Sequence, residues 1–212
     1  MPPYEFILIA ATGRSGSTTL QRILNTIPNS NITGENDNAI CNLLKFYKSL
    51  KTTASHNSFA SSCDILVNKN KKPCWYNSFN LRHMIIEIKR LIIRMLCNHP
   101  CNHILGFKEI RYFGCTDLLN VFVELFPNTK IICHYREDTD AQLKSKYLKE
   151  SDRDYIIKYN QELIEYSNKH KYCYLTTMND ILQEDKVAKL FKFLNKPFNR
   201  AKYNQIINTN MH

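Results

Sequence analysis

Residues 12–19 are the stretch best suited to chemistry, because two glycines and several hydroxyl side chains there surround a single arginine, Arg14. The stretch separates an apolar block, 6–11, from an amphipathic segment, which predicts a strand, a tight loop and a helix in that order. Backbone N–H groups at such a helix start are unpaired, and the helix dipole favours an anion there. Arg14 adds donors that match phosphate or sulfate oxygens, so the loop predicts a phosphate-bearing small-molecule ligand.

The elements around this loop predict an α/β fold, a mostly parallel β-sheet flanked by helices, with a P-loop-like nucleotide-binding architecture. Apolar runs of strand length alternate with helical segments and occupy positions 6–11, 31–33, 103–107, 130–135 and 172–175. Ligands of parallel sheets bind outside the carboxyl ends of the strands. Arg14, Lys108 and Arg136 each follow a predicted strand. We therefore expect these three cations to converge on one crevice that favours a polyanionic substrate.

Length and charge bound the domain organisation and the class of partner. The chain has 212 residues, 43% of them hydrophobic, and no repeat or linker divides it, so we predict one domain over 1–212. The net charge of +10 favours polyanionic ligands, but the basic residues are spread along the chain, which argues against nucleic acid. The sequence shows no membrane span and no signal-peptide pattern. We expect a soluble, cytoplasmic protein.

Two segments have no clear place in this scheme. Positions 52–77 follow a helix predicted over about 38–50 and are rich in Ser, Asn and Lys, which predicts a long loop that is either functional or mobile. A second segment holds four possible zinc ligands within seven residues, namely Cys97, His99, Cys101 and His103. Their spacing fits none of the usual zinc knuckles, so an ordinary connecting loop is the favoured alternative to a metal site.

Three polar residues near the predicted strand ends have competing interpretations. His134 alternates with apolar strand neighbours, which favours a core histidine over a catalyst. Glu109 and Arg111 directly follow the strand that ends near Lys108. Their side chains either reach the mouth of the site or form an ion pair with each other.

The loop differs from a Walker A motif, which ends in Gly-Lys-Ser/Thr and uses its lysine to reach the β- and γ-phosphates. Gly16 is followed here by Ser17, Thr18 and Thr19, and the basic residue precedes the glycine. An acidic strand end for magnesium is also missing. Both differences count against a P-loop-type nucleotide or small-molecule kinase, which shares the order of strand, loop and helix and stays one alternative function. A non-catalytic relative that binds anions is another.

Residues 13–20, Gly-Arg-Ser-Gly-Ser-Thr-Thr-Leu, resemble the 5′-phosphosulfate-binding loop of sulfotransferases that use 3′-phosphoadenosine 5′-phosphosulfate (PAPS). The run 131–136 with Ser145 downstream resembles the 3′-phosphate-binding element of that family, in which a strand-end arginine and a later helix serine hold the phosphate. The usual separation is eight residues, but Ser145 stands nine after Arg136 and Lys144 takes the eighth place. The layout is most similar to tyrosylprotein, carbohydrate-type and bacterial-type sulfotransferases.

The resemblance implies an enzyme that transfers a sulfuryl group from PAPS to an acceptor hydroxyl, releases adenosine 3′,5′-bisphosphate (PAP) and requires no metal. Its acceptor would be a peptide tyrosine, a glycan or a small alcohol. The implied cofactor-binding residues are Arg14, Ser15, Gly16, Ser17, Thr18, Thr19, Arg136, Lys144 and Ser145.

The same resemblance implies a catalytic role for Glu35. Gly34-Glu35 lies 21 residues after Arg14, where tyrosylprotein sulfotransferases have a Gly-Glu pair whose glutamate is the general base. Glu35 would then take the acceptor proton, while Arg14 and Lys108 would stabilise the sulfuryl oxygens and the leaving phosphate. The alternative is that Glu35 only places its charge at the start of the next helix.

Overall fold

The computed structural model describes residues 4–56 and 80–210. Their strands form one sheet in the order β2-β3-β1-β4-β5. The strands are β1 (Glu5–Ala11), β2 (Ser30–Thr33), β3 (Ile104–Glu109), β4 (Thr129–Tyr135) and β5 (Cys173–Thr177). Every neighbouring pair is parallel, and β2 lies at an edge. The α/β fold with a parallel sheet is therefore confirmed.

Helices cover both faces of this sheet. They are α1 (Ser17–Leu24), α2 (Ala39–His56), α3 (Leu81–Leu96), α4 (Asp117–Leu125), α5 (Thr139–Leu143), α6 (Arg153–Lys169), α7 (Met178–Ile181), α8 (Glu184–Leu194) and α9 (Arg200–Asn210). Helices α2, α3, α4 and α6 contribute to one apolar core, and α1, α8 and α9 contribute to the other. The sheet thus lies between two helical layers, as the alternation of strands and helices predicts.

Strand β1 lies at the centre because both of its faces are apolar. Successive side chains of a strand point to opposite faces. Phe6 and Leu8 therefore enter the core formed with α2, α3, α4 and α6, whereas Ile7 and Ile9 enter the core formed with α1, α8 and α9. All four side chains are at most 2% exposed. This central, buried position holds the loop that follows β1 on a rigid base.

Helix α2 is longer than the sequence predicts. It continues to His56, so the predicted loop is wrong for residues 52–56, and positions 57–77 lie outside the described part of the chain. The polar residues of this extension carry no apolar periodicity, so their pattern does not distinguish a helix from a loop. Just before them, Lys48 and Lys51 pair at 2.6 Å with Asp117 and Glu124 of α4.

The segment between α3 and β3 holds the four possible zinc ligands and forms a turn. The Cys101 N–H donates to His99 Nδ1 at 3.2 Å, and the Cys97 thiol donates to the His99 carbonyl at 3.4 Å. Across residues 4–56 and 80–210, no group of three or more His, Cys, Asp or Glu side chains is arranged to hold a metal ion. In the same ranges, no helix has both the length and the apolar character needed to cross a bilayer.

Candidate active site

The carboxyl ends of the central strands form a crevice. The chain leaves β1 first toward β2 and β3 on one side and later returns to β4 and β5 on the other, which is the arrangement that opens a ligand crevice in parallel sheets. A cavity of about 340 Å³ lies there. Seven of the residues predicted for the site line it, namely Arg14, Gly16, Ser17, Thr18, Glu35, Lys108 and Arg136.

The loop between β1 and α1 directs backbone N–H groups at this cavity. Gly16 is the N-cap of α1 at φ 88°, and a Cβ there would stand 2.1 Å from the Met178 Sδ atom, so only glycine fits. The first turn of α1 contains no acidic side chain that would compete for its N-terminal amides. An external anion can therefore bind at this helix start.

Two predicted loop residues do not line the cavity with their side chains. The buried Ser15 hydroxyl donates to the Thr12 carbonyl at 2.7 Å, so it shapes the loop from inside. The Thr19 N–H donates to the Gly16 carbonyl at 2.9 Å as part of the first helical turn. The structure therefore shows a contact within the loop for each residue, and their role in cofactor binding stays a prediction.

A second cavity of about 400 Å³ adjoins the first, because Arg14 and Arg136 line both. Lys144 and Ser145 both border this second cavity. Lys146 and Tyr147 also border it and were not predicted.

The Tyr147 ring contacts two of these cations. The Arg14 guanidinium carbon is 5.1 Å from the ring centroid, and Lys146 Nζ is 5.0 Å from it. A cation above an aromatic face is attracted to it, so the exposed Tyr147 ring helps to hold Arg14 at the junction of the two cavities.

Four of the cations around the two cavities have no counter-charge among the residues that the structure describes. In the part of the chain that the structure describes, no carboxylate forms an ion pair with Arg14, Arg136, Lys144 or Lys146. Four unpaired cations beside a helix N-terminus create a positive potential that suits a ligand with two anionic groups.

Glu35, in contrast, lies in an ion-pair network at the other side of the first cavity. Lys108 Nζ donates to Glu35 Oε1 at 2.6 Å, and Arg111 Nη1 is 3.6 Å from Glu35 Oε2. The Lys108 side chain is 9% exposed and that of Glu35 is 31% exposed. In the first turn of α2, the Ile40 N–H donates to Asn36 Oδ1 and not to Glu35.

Arg111 and Glu109 complete this network. Arg111 Nη1 lies 3.1 Å from Oε1 of the fully buried Glu109, so the ion pair between them is formed. Arg111 Nη2 also lies 3.3 Å from Asp37 Oδ1. The structure therefore bears out the ion pair, and neither Glu109 nor Arg111 lines the first cavity, although Arg111 reaches Glu35.

Two side chains that the site hypothesis omitted support the loop from below. His134 is fully buried, as predicted, and its Nε2–H donates to the Ser15 carbonyl at 2.8 Å. Gln142 is also buried and donates to the Gly13 carbonyl and to Thr12 Oγ1. The sequence offers no signal for these contacts, since the partners lie more than 100 residues apart.

Comparison with solved structures supports this architecture. The sulfotransferase domain from the curacin biosynthetic pathway matches with a TM-score of 0.55 at 17% identity, covering 97% of this chain and 78% of that domain. The sulfotransferase domain of the Synechococcus PCC 7002 olefin synthase gives 0.53 at 14%, covering 95% and 76%. A sulfotransferase from Mycobacterium tuberculosis gives 0.50 at 9%, covering 98% and 71%.

At such identities the structural matches show the fold alone, and no curated protein sequence matches this chain. A family model described as the sulfotransferase family, however, matches residues 6–207, a range that includes the loop, the strand-end cations and Glu35. This chain therefore belongs to the sulfotransferase family.

Proposed function

We propose that this protein is a PAPS-dependent sulfotransferase that transfers a sulfuryl group to an acceptor hydroxyl, with Glu35 as the general base. The observation that carries the proposal is the pair of adjoining cavities with unpaired cations around them, next to a carboxylate held at the wall of one. PAPS carries anionic groups at both its 5′ and 3′ positions, which fits two cavities that share Arg14 and Arg136.

The proposed cofactor site divides into two parts. The amides at the start of α1, near Gly16 and Ser17, would hold the 5′-phosphosulfate together with Arg14. Arg136 would hold the 3′-phosphate with Lys144 or Ser145, which border the second cavity. Unpaired cations and free amides are the groups that bind such an anion, so the residues present fit the cofactor. PAPS, when bound, supplies an activated sulfuryl group.

Glu35 would accept the proton of the acceptor hydroxyl. Its carboxylate borders the first cavity, and about a third of its side chain is open to solvent, where an acceptor can approach. The 2.6 Å contact with the buried Lys108 Nζ fixes the carboxylate in position. Lys108 also borders the cavity, so its ammonium can stabilise charge that develops on the sulfuryl oxygens.

The first test is calorimetric titration with PAP in the absence of added metal. We expect micromolar binding that weakens strongly in Arg14→Ala and in Arg136→Ala. Turnover is then measured as PAP release from PAPS in the presence of tyrosine peptides, glycans and small alcohols. An absence of PAP binding, combined with magnesium-dependent binding of ATP, would overturn the proposal and favour a kinase. PAP binding without turnover on any acceptor class would favour a non-catalytic relative.

A further inference from the structure

Three carbonyl groups of the loop between β1 and α1, those of Thr12, Gly13 and Ser15, are held by side chains. A carbonyl oxygen carries partial negative charge, so a loop that binds an anion must turn its carbonyls away from it. The Ser15 hydroxyl holds the Thr12 carbonyl, Gln142 Nε2 holds the Gly13 carbonyl, and His134 Nε2 holds the Ser15 carbonyl. In a trans peptide the N–H points away from the C=O. The N–H groups that follow these three carbonyls therefore point toward the cavity.

His134 and Gln142 are both suited to this task because they are buried donors. They are 0% and 1% exposed. Burial lowers the pKa of the His134 imidazole to about 4, against the opposing effects of the Ser15 carbonyl and of the Asp180 charge. The ring is therefore neutral at pH 7, and its single proton lies on Nε2 because a carbonyl only accepts hydrogen bonds.

The residue between the two held carbonyls needs this support. Arg14 has φ 60°, in the left-handed region that is unfavourable for a residue with a side chain. The carbonyls of Gly13 and Ser15, one residue before and one after it, are the ones that Gln142 and His134 hold. The two contacts thus maintain the backbone conformation that places the Arg14 side chain at the junction of the cavities.

We infer that His134 and Gln142 are positioning residues, which orient the loop amides and Arg14 toward the 5′ group of the cofactor. The inference rests on the proposed function. Both residues lie on the segment from β4 to α5, which also carries Arg136 and leads directly into Lys144. One segment of the chain therefore supplies the proposed 3′-phosphate site and also shapes the 5′ site.

The test compares PAP with adenosine 3′-monophosphate, which lacks the 5′ group. His134→Phe and Gln142→Met keep the approximate volume of each side chain and remove its donor. We expect the Kd for PAP to rise about tenfold in each variant, because a buried carbonyl then points without a partner near the anion. The Kd for adenosine 3′-monophosphate should stay within about twofold in His134→Phe, because Gln142 borders the second cavity and His134 does not. His134→Gln, whose amide nitrogen can take the place of Nε2, should restore most of the affinity for PAP.

Several outcomes would overturn the inference. If a variant binds both nucleotides more weakly by the same factor, the residue only stabilises the fold. Thermal melting of that variant would then show a lower melting temperature. If Gln142→Met and His134→Phe bind PAP as tightly as the wild type, the contacts do not position the loop. A wild-type protein that does not bind PAP would instead refute the proposed function itself, and the inference would fall with it.

Discussion

Lys108 and Arg111, on one side of the crevice, are bound to carboxylates, whereas Arg14, Arg136 and Lys144, on the other, have none among the residues described. The two groups are neighbours, since Lys108 and Arg136 line the same cavity. The paired cations fix a carboxylate in one orientation. The unpaired cations repel one another and gain their counter-charge only when an anion binds.

This difference teaches how one crevice can serve two tasks. An unpaired cation costs the folded protein some stability through repulsion from its neighbours, and it provides binding free energy when a ligand neutralises it. A paired cation contributes to the fold before any ligand arrives, and its partner is already oriented for chemistry. We therefore expect variants on the paired side to lose turnover or stability. Variants on the unpaired side should lose ligand binding and keep their stability.

The largest effect is expected for the carboxylate of the paired side. Glu35→Gln removes the proposed base but keeps the shape of the side chain, so the turnover of PAPS should fall by about 10² to 10⁴-fold while PAP affinity stays within about twofold. Asp37→Asn is the matched control, because Asp37 contacts the same Arg111 but is 93% exposed. Its turnover should stay within about threefold. Equal losses in the two variants would show that Glu35 acts only through the network.

Removal of an unpaired cation should affect binding. Arg136→Ala should weaken PAP binding by about 10- to 100-fold, the effect of a lost charge-assisted hydrogen bond, as measured by calorimetry. Urea unfolding of this variant should show no loss of stability. Arg200→Ala is the control, since Arg200 is paired with Glu184 on the protein surface and should leave PAP affinity unchanged. If Arg136 does not bind the 3′-phosphate, Arg136→Ala and Arg200→Ala should have the same affinity for PAP.

The unpaired side rests on a neutral histidine, which predicts a dependence of stability on pH. Burial lowers the pKa of His134 from its ordinary value of 6.5 to about 4, so the unfolded chain binds more protons between these values. This contribution to stability is present above pH 6.5 and is lost as the pH falls toward 4, with a loss on the order of 1 kcal/mol at pH 5.5. Urea unfolding at pH 7.5 and 5.5 measures this loss. The free energy of unfolding should fall more between these pH values in the wild type than in His134→Gln. Identical pH dependence in both proteins would contradict it.

The last comparison takes one lysine from each side. Lys108→Met breaks the 2.6 Å contact with Glu35 and should lower the free energy of unfolding by about 1 to 2 kcal/mol. Lys144→Met removes an exposed cation that has no carboxylate partner among the described residues and should change it by less than about 0.5 kcal/mol. Urea denaturation of both variants decides the point, and a greater loss in Lys144→Met would reverse the comparison.

Much of the fold and part of the site could be predicted from local patterns. The apolar block before Arg14 is buried on both faces, so its strand is plain from composition alone. Because parallel strands end at the same edge, Arg14, Lys108 and Arg136 meet as expected. The end of α2 was predicted too early, because residues 52–56 have no apolar period that distinguishes a helix from a loop.

The sequence by itself determined the order of strands and helices, the glycine-rich loop and the residue types at the strand ends, because these depend on neighbours a few positions away. Only the tertiary structure decided which cations are paired. Lys108 meets Glu35 across 73 residues, and Gln142 reaches the loop across 129. A side chain finds such partners only when the sheet order and register bring distant segments together, so the division of the crevice into a paired and an unpaired side is a property of the fold.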